Sequence, residues 1–298
     1  MLTPFKTGGE IDFHALDSLT EFYLENGANG LFANCLSSEM YELTTDERLA
    51  ITASVVKRVK GQVPVVATGT FGGPINQQAE FIRKIHDLGV GSVILISSQL
   101  ADEGDDESRL KDNLIKLMDF VSNIPLGLYE CPVPYKRLIS PVLTAELAHS
   151  GRFLYFKDTS CNTGIIKQKI EAVAGRILSL FNANTPTALD TLRAGADGIS
   201  PISAIFYPEF YSWIYSNFKI ADRSDQVEYL NDQLIMMDAI TRINYPMSAK
   251  VFLSKRGIKI EPVIRTAGRA LNFEEAKILD KLYDNYLRIF NNLFKAGS

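Results

Sequence analysis

The chain has 298 residues, 46% of them hydrophobic and 22% charged, an ordinary globular composition with enough sequence for one large core. With 31 basic against 35 acidic residues the formal net charge is -4, which speaks against the basic footprint of a nucleic-acid binder. Three cysteines, an odd number without a CxxC pair, argue against a disulfide framework or a zinc knuckle and for a reducing compartment. No apolar run reaches the ~18 residues that span a bilayer, and Met1-Leu2-Thr3-Pro4-Phe5-Lys6 lacks an apolar secretory core. A soluble cytoplasmic protein is expected, with neither nucleic acid nor membrane as partner.

In chain order, short apolar runs alternate with amphipathic ones. A helix is predicted over 12–26, then a strand over 30–33 and a helix over 45–60 whose start, Thr44-Thr45-Asp46-Glu47, carries a cap residue and first-turn acids. Strands over 63–68, 92–96, 126–129, 153–157, 177–182 and 198–202 follow, interleaved with helices over 76–88, 107–122, 163–174 and 185–194. The strand runs are continuously apolar, as in parallel strands covered on both faces. Gly27-Ala28-Asn29-Gly30, Gly89-Val90-Gly91-Ser92 and Gly195-Ala196-Asp197-Gly198 each follow a helix and open a strand. Glycine there supplies the left-handed helix cap, so the pattern marks repeated short αβ loops. With a stub at 1–3 as an eighth strand, the expected architecture is a (β/α)8 TIM barrel over 1–220. Helices over 207–218, 224–241, 246–255 and 272–294 make the stretch 221–298 a C-terminal helical extension. The rival, an open doubly wound sheet, wants a glycine-rich phosphate turn after its first strand; Gly69-Thr70-Phe71-Gly72-Gly73 follows the wrong strand and reads as a flexible loop. The basic run Lys250, Lys255, Arg256 and Lys259 reads as a solvated helix end.

Barrel enzymes place reactive groups at the C-terminal ends of strands. Lys157 follows four apolar or aromatic residues at such an end. Desolvation there lowers an amine's pKa and makes it nucleophilic; the competing reading is an exposed loop lysine, and pattern alone does not choose. Tyr129 closes the neighbouring strand, either as a proton relay or as a core aromatic. Ser37, Ser38 and Glu39 lie on a tight turn whose successive N–H groups can hold a carboxylate, unless Glu39 simply caps the next helix. Cys35, Cys131 and Cys161 each fall just past a strand and read as small pocket lining in preference to a three-thiolate metal site.

Tyr129-Glu130-Cys131-Pro132, Phe156-Lys157-Asp158-Thr159-Ser160, Gly195-Ala196-Asp197-Gly198 and the opening Leu2-Thr3-Pro4-Phe5-Lys6-Thr7-Gly8-Gly9-Glu10-Ile11-Asp12 together resemble the dihydrodipicolinate synthase/N-acetylneuraminate lyase superfamily, over the whole chain and in order. The resemblance implies Lys157 as Schiff-base former, Tyr129 as its proton shuttle, and backbone donors at Leu36 and Ser37, beside Ser38, as carboxylate holders. It implies a small 2-oxo acid substrate, no cofactor beyond the covalent lysine imine, no metal, and a homotetramer or homodimer. The family's Gly-Ser/Thr-Thr-Gly-Glu turn reads Cys35-Leu36-Ser37-Ser38-Glu39 here. The synthases' tyrosine turn reads Ser97-Ser98-Gln99-Leu100, and their arginine position holds Pro134, with Lys136 and Arg137 close by. These departures argue against dihydrodipicolinate synthesis. Ala183, Asn184 and Thr185 stand where sialate lyases bind a sugar chain, which argues against sialic acid.

The expected chemistry is a pyruvate-class lyase: Lys157 forms the imine, Tyr129 takes the C4 hydroxyl proton as C3–C4 breaks, and Asn182 or Ser203 contacts the rest of the substrate. The same imine can expel a β-hydroxyl, which makes a 2-keto-3-deoxy sugar acid dehydratase the alternative; a non-catalytic 2-oxo acid sensor is another. A metal-dependent barrel lyase would want histidines at strand ends, whereas His14, His86 and His149 fall in helical segments or at their ends.

Overall fold

Seven short parallel strands alternate with helices along the chain, and the computed structural model describes residues 1–295. The strands are β1 (Leu31–Ala33), β2 (Val65–Thr68), β3 (Ser92–Ile96), β4 (Leu126–Tyr129), β5 (Phe153–Asp158), β6 (Ser179–Asn182) and β7 (Gly198–Ile199). The helices are α1 (Phe13–Glu25), α2 (Thr45–Val59), α3 (Ile75–His86), α4 (Glu107–Phe120), α5 (Pro141–His149), α6 (Thr163–Val173), α7 (Ala188–Arg193), α8 (Pro208–Asn217), α9 (Ser224–Thr241), α10 (Met247–Lys255) and α11 (Phe273–Phe290). The strands pair in sequence order, β1 to β7, all parallel. Right-handed crossovers between sequential neighbours put every connecting helix on the same face, so the sheet curls with that face outward. This is the order of a (β/α)8 TIM barrel with a C-terminal helical appendage.

The predicted helices stand where side chains cap them. Asp12, Thr44, Asp106, Asn162 and Asn272 accept from the first turns of α1, α2, α4, α6 and α11, with reciprocal boxes at Thr44/Glu47 and Asn272/Glu275. Gly27, Gly89 and Gly195 have φ of 81°, 90° and 106°, the left-handed caps that the repeated pattern called for. Three expectations are corrected. Helix α5 was not predicted: it is nine residues long, too short for its spacing of apolar and polar residues to give a clear amphipathic signal. Its legible mark was Ser140-Pro141, a cap followed by proline in the first turn. Strand β7 ends at Ile199 rather than at residue 202, because Pro201 has no N–H for a ladder. The stub at 1–3 is no strand; Met1 is tied to β1 by its nitrogen donating to the Phe32 carbonyl at 2.9 Å, and the only bridge before residue 13, among the described residues, is the antiparallel pair Phe5–Ile11.

The chain falls into two compact units, Met1 with Asn29–Pro201, and Leu2–Ala28 with Ile202 onward, so α8 groups with the helices that follow it. The first unit holds the whole sheet. On its inner face Phe32, Val66, Ile94, Ile96, Tyr129 and Cys131 form one buried cluster. Gly127 makes that packing possible, since a Cβ there would sit 3.0 Å from the Tyr155 carbonyl oxygen. The second unit has a core of its own, where Glu209, Arg256 and the Tyr286 hydroxyl close a buried network; Lys250 is fully buried too, so the basic run to which it and Arg256 belong is not the solvated helix end expected. No described helix is long and apolar enough to cross a membrane.

Candidate active site

Strand parity decides which side chains meet. Along β5, Tyr155 and Lys157 share one face while Phe156 and Asp158 share the other. Register pairs Tyr129 with Lys157 and Lys157 with Phe181, so the two residues singled out from the sequence are neighbours across β4 and β5 at their C-terminal ends. The Lys157 amine lies 5.1 Å from the centroid of the Tyr129 ring and 5.8 Å from that of Phe32. Phe32 meets Tyr129 and Tyr155 edge-to-face, and Tyr155 stacks on Phe181 at 4.7 Å.

Those rings desolvate the amine. Lys157 is only partly exposed, and burial lowers its pKa from 10.5 against the opposing pull of the Cys35 and Cys131 thiols. Tyr129 is pushed well above the usual phenol value, first by burial and then by the charge of the same two thiols. Burial thus biases the amine toward its uncharged form and the phenol toward its protonated form, and the two stand side by side. Cys35 runs the other way: burial raises its pKa, but the Met1 amine, Lys157 and the Ser38 hydroxyl together outweigh that and bring it to about 7. Burial also raises the Cys131 thiol, which is flanked by the Tyr129 and Tyr41 hydroxyls. Cys161 is exposed, with φ of 56°, and its thiol turns to the Thr159 carbonyl. Two of the three cysteines therefore surround Lys157 and the third does not.

The opposite face of the same strands carries the contrasting lysine. Lys169 on α6 is fully buried, 2.5 Å from Glu130 Oε1 and 2.6 Å from Asp158 Oδ2, both also fully buried. Glu130 further accepts from the Ile139 and Thr159 N–H groups, and Asp158 from Ser160. Glu130 and Asp158 immediately follow Tyr129 and Lys157, so this network pins the two strand ends that present them. Burial raises the Glu130 pKa to about 7, with Lys169 opposing and Asp158 reinforcing the rise. The sequence reading missed this triad; its signal was a charged residue directly after each of Tyr129 and Lys157, the opposite parity on each strand.

The turn after β1 keeps its shape without glycine. Its left-handed positions are Asn34, φ 51°, and Glu39, φ 57°, whereas Cys35 is extended and Leu36–Ser38 form a 3-10 turn. The N–H groups of Leu36 and Ser37 stand at the open start of that turn, where a helical turn has no acceptors of its own for them. Ser38 looks inward: its hydroxyl donates to the Met1 carbonyl at 2.8 Å and accepts from the Cys35 N–H at 3.0 Å. Ser38 is therefore part of the turn's frame. Glu39 is buried and does not cap α2, which Thr44 caps.

Two expected contacts lie elsewhere. Asn182 sits on the outer face of β6, where its Nδ2 donates to Thr187 and Thr191 and its Oδ1 accepts from the Asn184 N–H, so it ties down the start of α7. Phe181, one residue earlier, is the one that faces Lys157. Ser203 belongs to the second unit, fully buried, with its hydroxyl on Tyr211 at 2.5 Å and Asp238 at 2.8 Å. Arg137 is turned onto the 102–107 loop, donating to the Asp102 and Asp105 carbonyls and to the Tyr135 hydroxyl. Among the described residues no group of three or more His, Cys, Asp and Glu side chains is placed to hold a metal, and His14, His86 and His149 lie on α1, α3 and α5.

Solved structures share this fold. A dihydrodipicolinate synthase from Bacillus anthracis superposes with a TM-score of 0.86 at 21% identity over 95% of each chain. One from Acinetobacter baumannii, complexed with pyruvate, gives 0.85 at 21% identity over 96% of each. Among curated proteins, a 4-hydroxy-tetrahydrodipicolinate synthase from Marinobacter nauticus is 26% identical over 264 residues, 88% of this chain and 84% of that one. Another, from Methanosphaerula palustris, is 23% identical over 96% of this chain and 97% of its own. The model of the Dihydrodipicolinate synthetase family matches residues 1–283, and the chain belongs to that family of lyases.

Proposed function

We propose that the protein is a class I lyase that makes or breaks the C3–C4 bond of a 2-oxo acid through an imine on Lys157. The observation that carries this reading is a desolvated amine paired in register with a buried phenol at the end of adjacent barrel strands. Neutral Lys157 Nζ attacks the substrate ketone, and Tyr129 gives its proton to the departing hydroxyl, which leaves as water. The phenolate so formed faces the cationic imine and takes the C4 hydroxyl proton. The C3–C4 electrons then pass into the imine as an enamine, and the aldehyde leaves. Protonation of the enamine at C3 and attack of water on the imine return the amine and release pyruvate. The Leu36 and Ser37 amides are the carboxylate donors in this scheme. Cytoplasmic location and a homotetrameric or homodimeric assembly go with the same reading.

Incubation with pyruvate and borohydride, followed by peptide mass spectrometry, is the decisive test. The expected result is one reduced adduct on Lys157, absent in Lys157→Met. Its yield should rise with pH through a midpoint below the ordinary lysine value of 10.5, because a lowered pKa enlarges the neutral fraction under it. An unmodified Lys157, or an adduct elsewhere, overturns the assignment.

A further inference from the structure

The wall above Lys157 is built of rings whose polar atoms are turned away. Beyond the ends of β1 and β2, Leu36, Tyr41 and Phe71 are partly exposed and pack on the same cluster that flanks the amine. Phe71 meets Tyr41 edge-to-face at 6.0 Å and Phe81 at 5.6 Å, and the Arg48 guanidinium lies 3.7 Å over its ring. The Tyr41 hydroxyl donates to the Val133 carbonyl at 2.9 Å and accepts from Gln99 at 3.2 Å. Arg48 Nε donates to the Met40 carbonyl at 2.9 Å. Two further cations are committed, Lys169 to Glu130 and Asp158, and Arg137 to the 102–107 loop, while Lys136 beside Arg137 is turned out to solvent.

We infer that the aldehyde half of the substrate is aromatic, with its ring resting on the Phe71–Tyr41 wall; the inference rests on the imine chemistry assigned to Lys157. A polyhydroxylated aldehyde would lay hydroxyls against ring faces that return no hydrogen bond, and buried polar groups without partners are strongly disfavoured. A carboxylated aldehyde needs a cation, and Arg48 could serve it only by leaving the Phe71 ring and the Met40 carbonyl. An aromatic ring needs neither and gains edge-to-face and stacking contacts. In the synthetic direction the enamine carbon of the Lys157–pyruvate adduct bonds to the aldehyde carbon. The aldehyde oxygen takes a proton from Tyr129, and water hydrolyses the imine to release a 4-aryl-4-hydroxy-2-oxo acid; no oxidant, reductant or further co-reactant is consumed.

The test gives the purified full chain pyruvate with benzaldehyde, D-glyceraldehyde or glyoxylate, and measures kcat/KM by product mass spectrometry. Benzaldehyde is expected to lead the other two by roughly 100-fold. Phe71→Leu should lower the benzaldehyde-to-isobutyraldehyde ratio of kcat/KM by roughly 2- to 10-fold, a ratio that does not depend on how much of the variant is folded. Equal or better turnover of glyceraldehyde or glyoxylate overturns the inference, as does an unchanged ratio in Phe71→Leu. Pyruvate trapped on Lys157 without turnover of benzaldehyde sinks the aromatic assignment and spares the imine reading. Failure to trap pyruvate on the parent chain sinks both.

Discussion

Replacing Lys169 with methionine keeps the length of a fully buried side chain and removes its charge, leaving Glu130 and Asp158 facing each other without the cation now 2.5 and 2.6 Å away. Removing one member of a buried ion pair typically costs about 3–5 kcal/mol, most of it the penalty on the charge left behind. The variant can escape that penalty by protonating a carboxylate. Burial already raises Glu130 from 4.5 to about 7 in the parent, with Asp158 pushing the same way and Lys169 opposing. Without Lys169 only the raising influences of burial and Asp158 remain beside the fixed backbone donors. A raised carboxyl pKa means that the folded state holds a proton the unfolded state has lost. Stability therefore falls as pH climbs from the ordinary value toward the folded one, and in the variant the fall continues to higher pH. Lys169→Met should melt on the order of 10 °C below the parent at about pH 8 and much closer to it at about pH 5, read by circular dichroism. Adding Glu130→Gln should flatten that pH dependence. A melting point lowered equally at both pH values, or unmoved at the higher one, refutes the argument that the triad's charge balance holds β4 and β5 together.

Tyr129→Phe should cut kcat by about 10²–10⁴-fold and slow the borohydride trapping of pyruvate on Lys157, because the same hydroxyl protonates the leaving water; undiminished kcat and trapping would remove it as a relay. Gly127→Ala puts a methyl 3.1 Å from the Tyr155 Cβ and should destabilise the chain by about 1–3 kcal/mol, so an unchanged melting curve would mean that the inner face is looser than the packing implies. Iodoacetamide should modify exposed Cys161 first without effect on trapping. It should then modify Cys35, faster as pH rises through about 7, with loss of trapping and protection by pyruvate. Full trapping by chain alkylated at Cys35 would remove that thiol from the site.

Most of the barrel was legible because its signals are local. Caps such as Thr44 and Asn272, the left-handed glycines at 27, 89 and 195, and continuous apolar runs each act over a few residues, and the parallel sheet follows from their alternation. The apolar runs that Lys157 and Tyr129 close placed both at strand ends, and the family motifs around them singled them out as candidates. The site's surroundings were not. β5 begins Phe153-Leu154-Tyr155-Phe156, apolar on both faces, so nothing in the run says which parity faces inward, and one step of parity separates Phe181 beside Lys157 from Asn182 bound to α7.

The sequence by itself determined the order of the seven strands and of every helix but α5, the two residues at the strand ends and the family motifs that they belong to. The tertiary structure alone decided that Cys35 and Cys131 stand near the amine while Cys161 does not, that Ser38 and Asn182 brace their own turns, and that Lys169 faces the carboxylates behind β4 and β5. The division has one cause. Propensity and capping act through neighbours in the chain, whereas the pKa of a buried group depends on which charges lie within a few ångströms across the sheet, and those come from residues tens of positions apart.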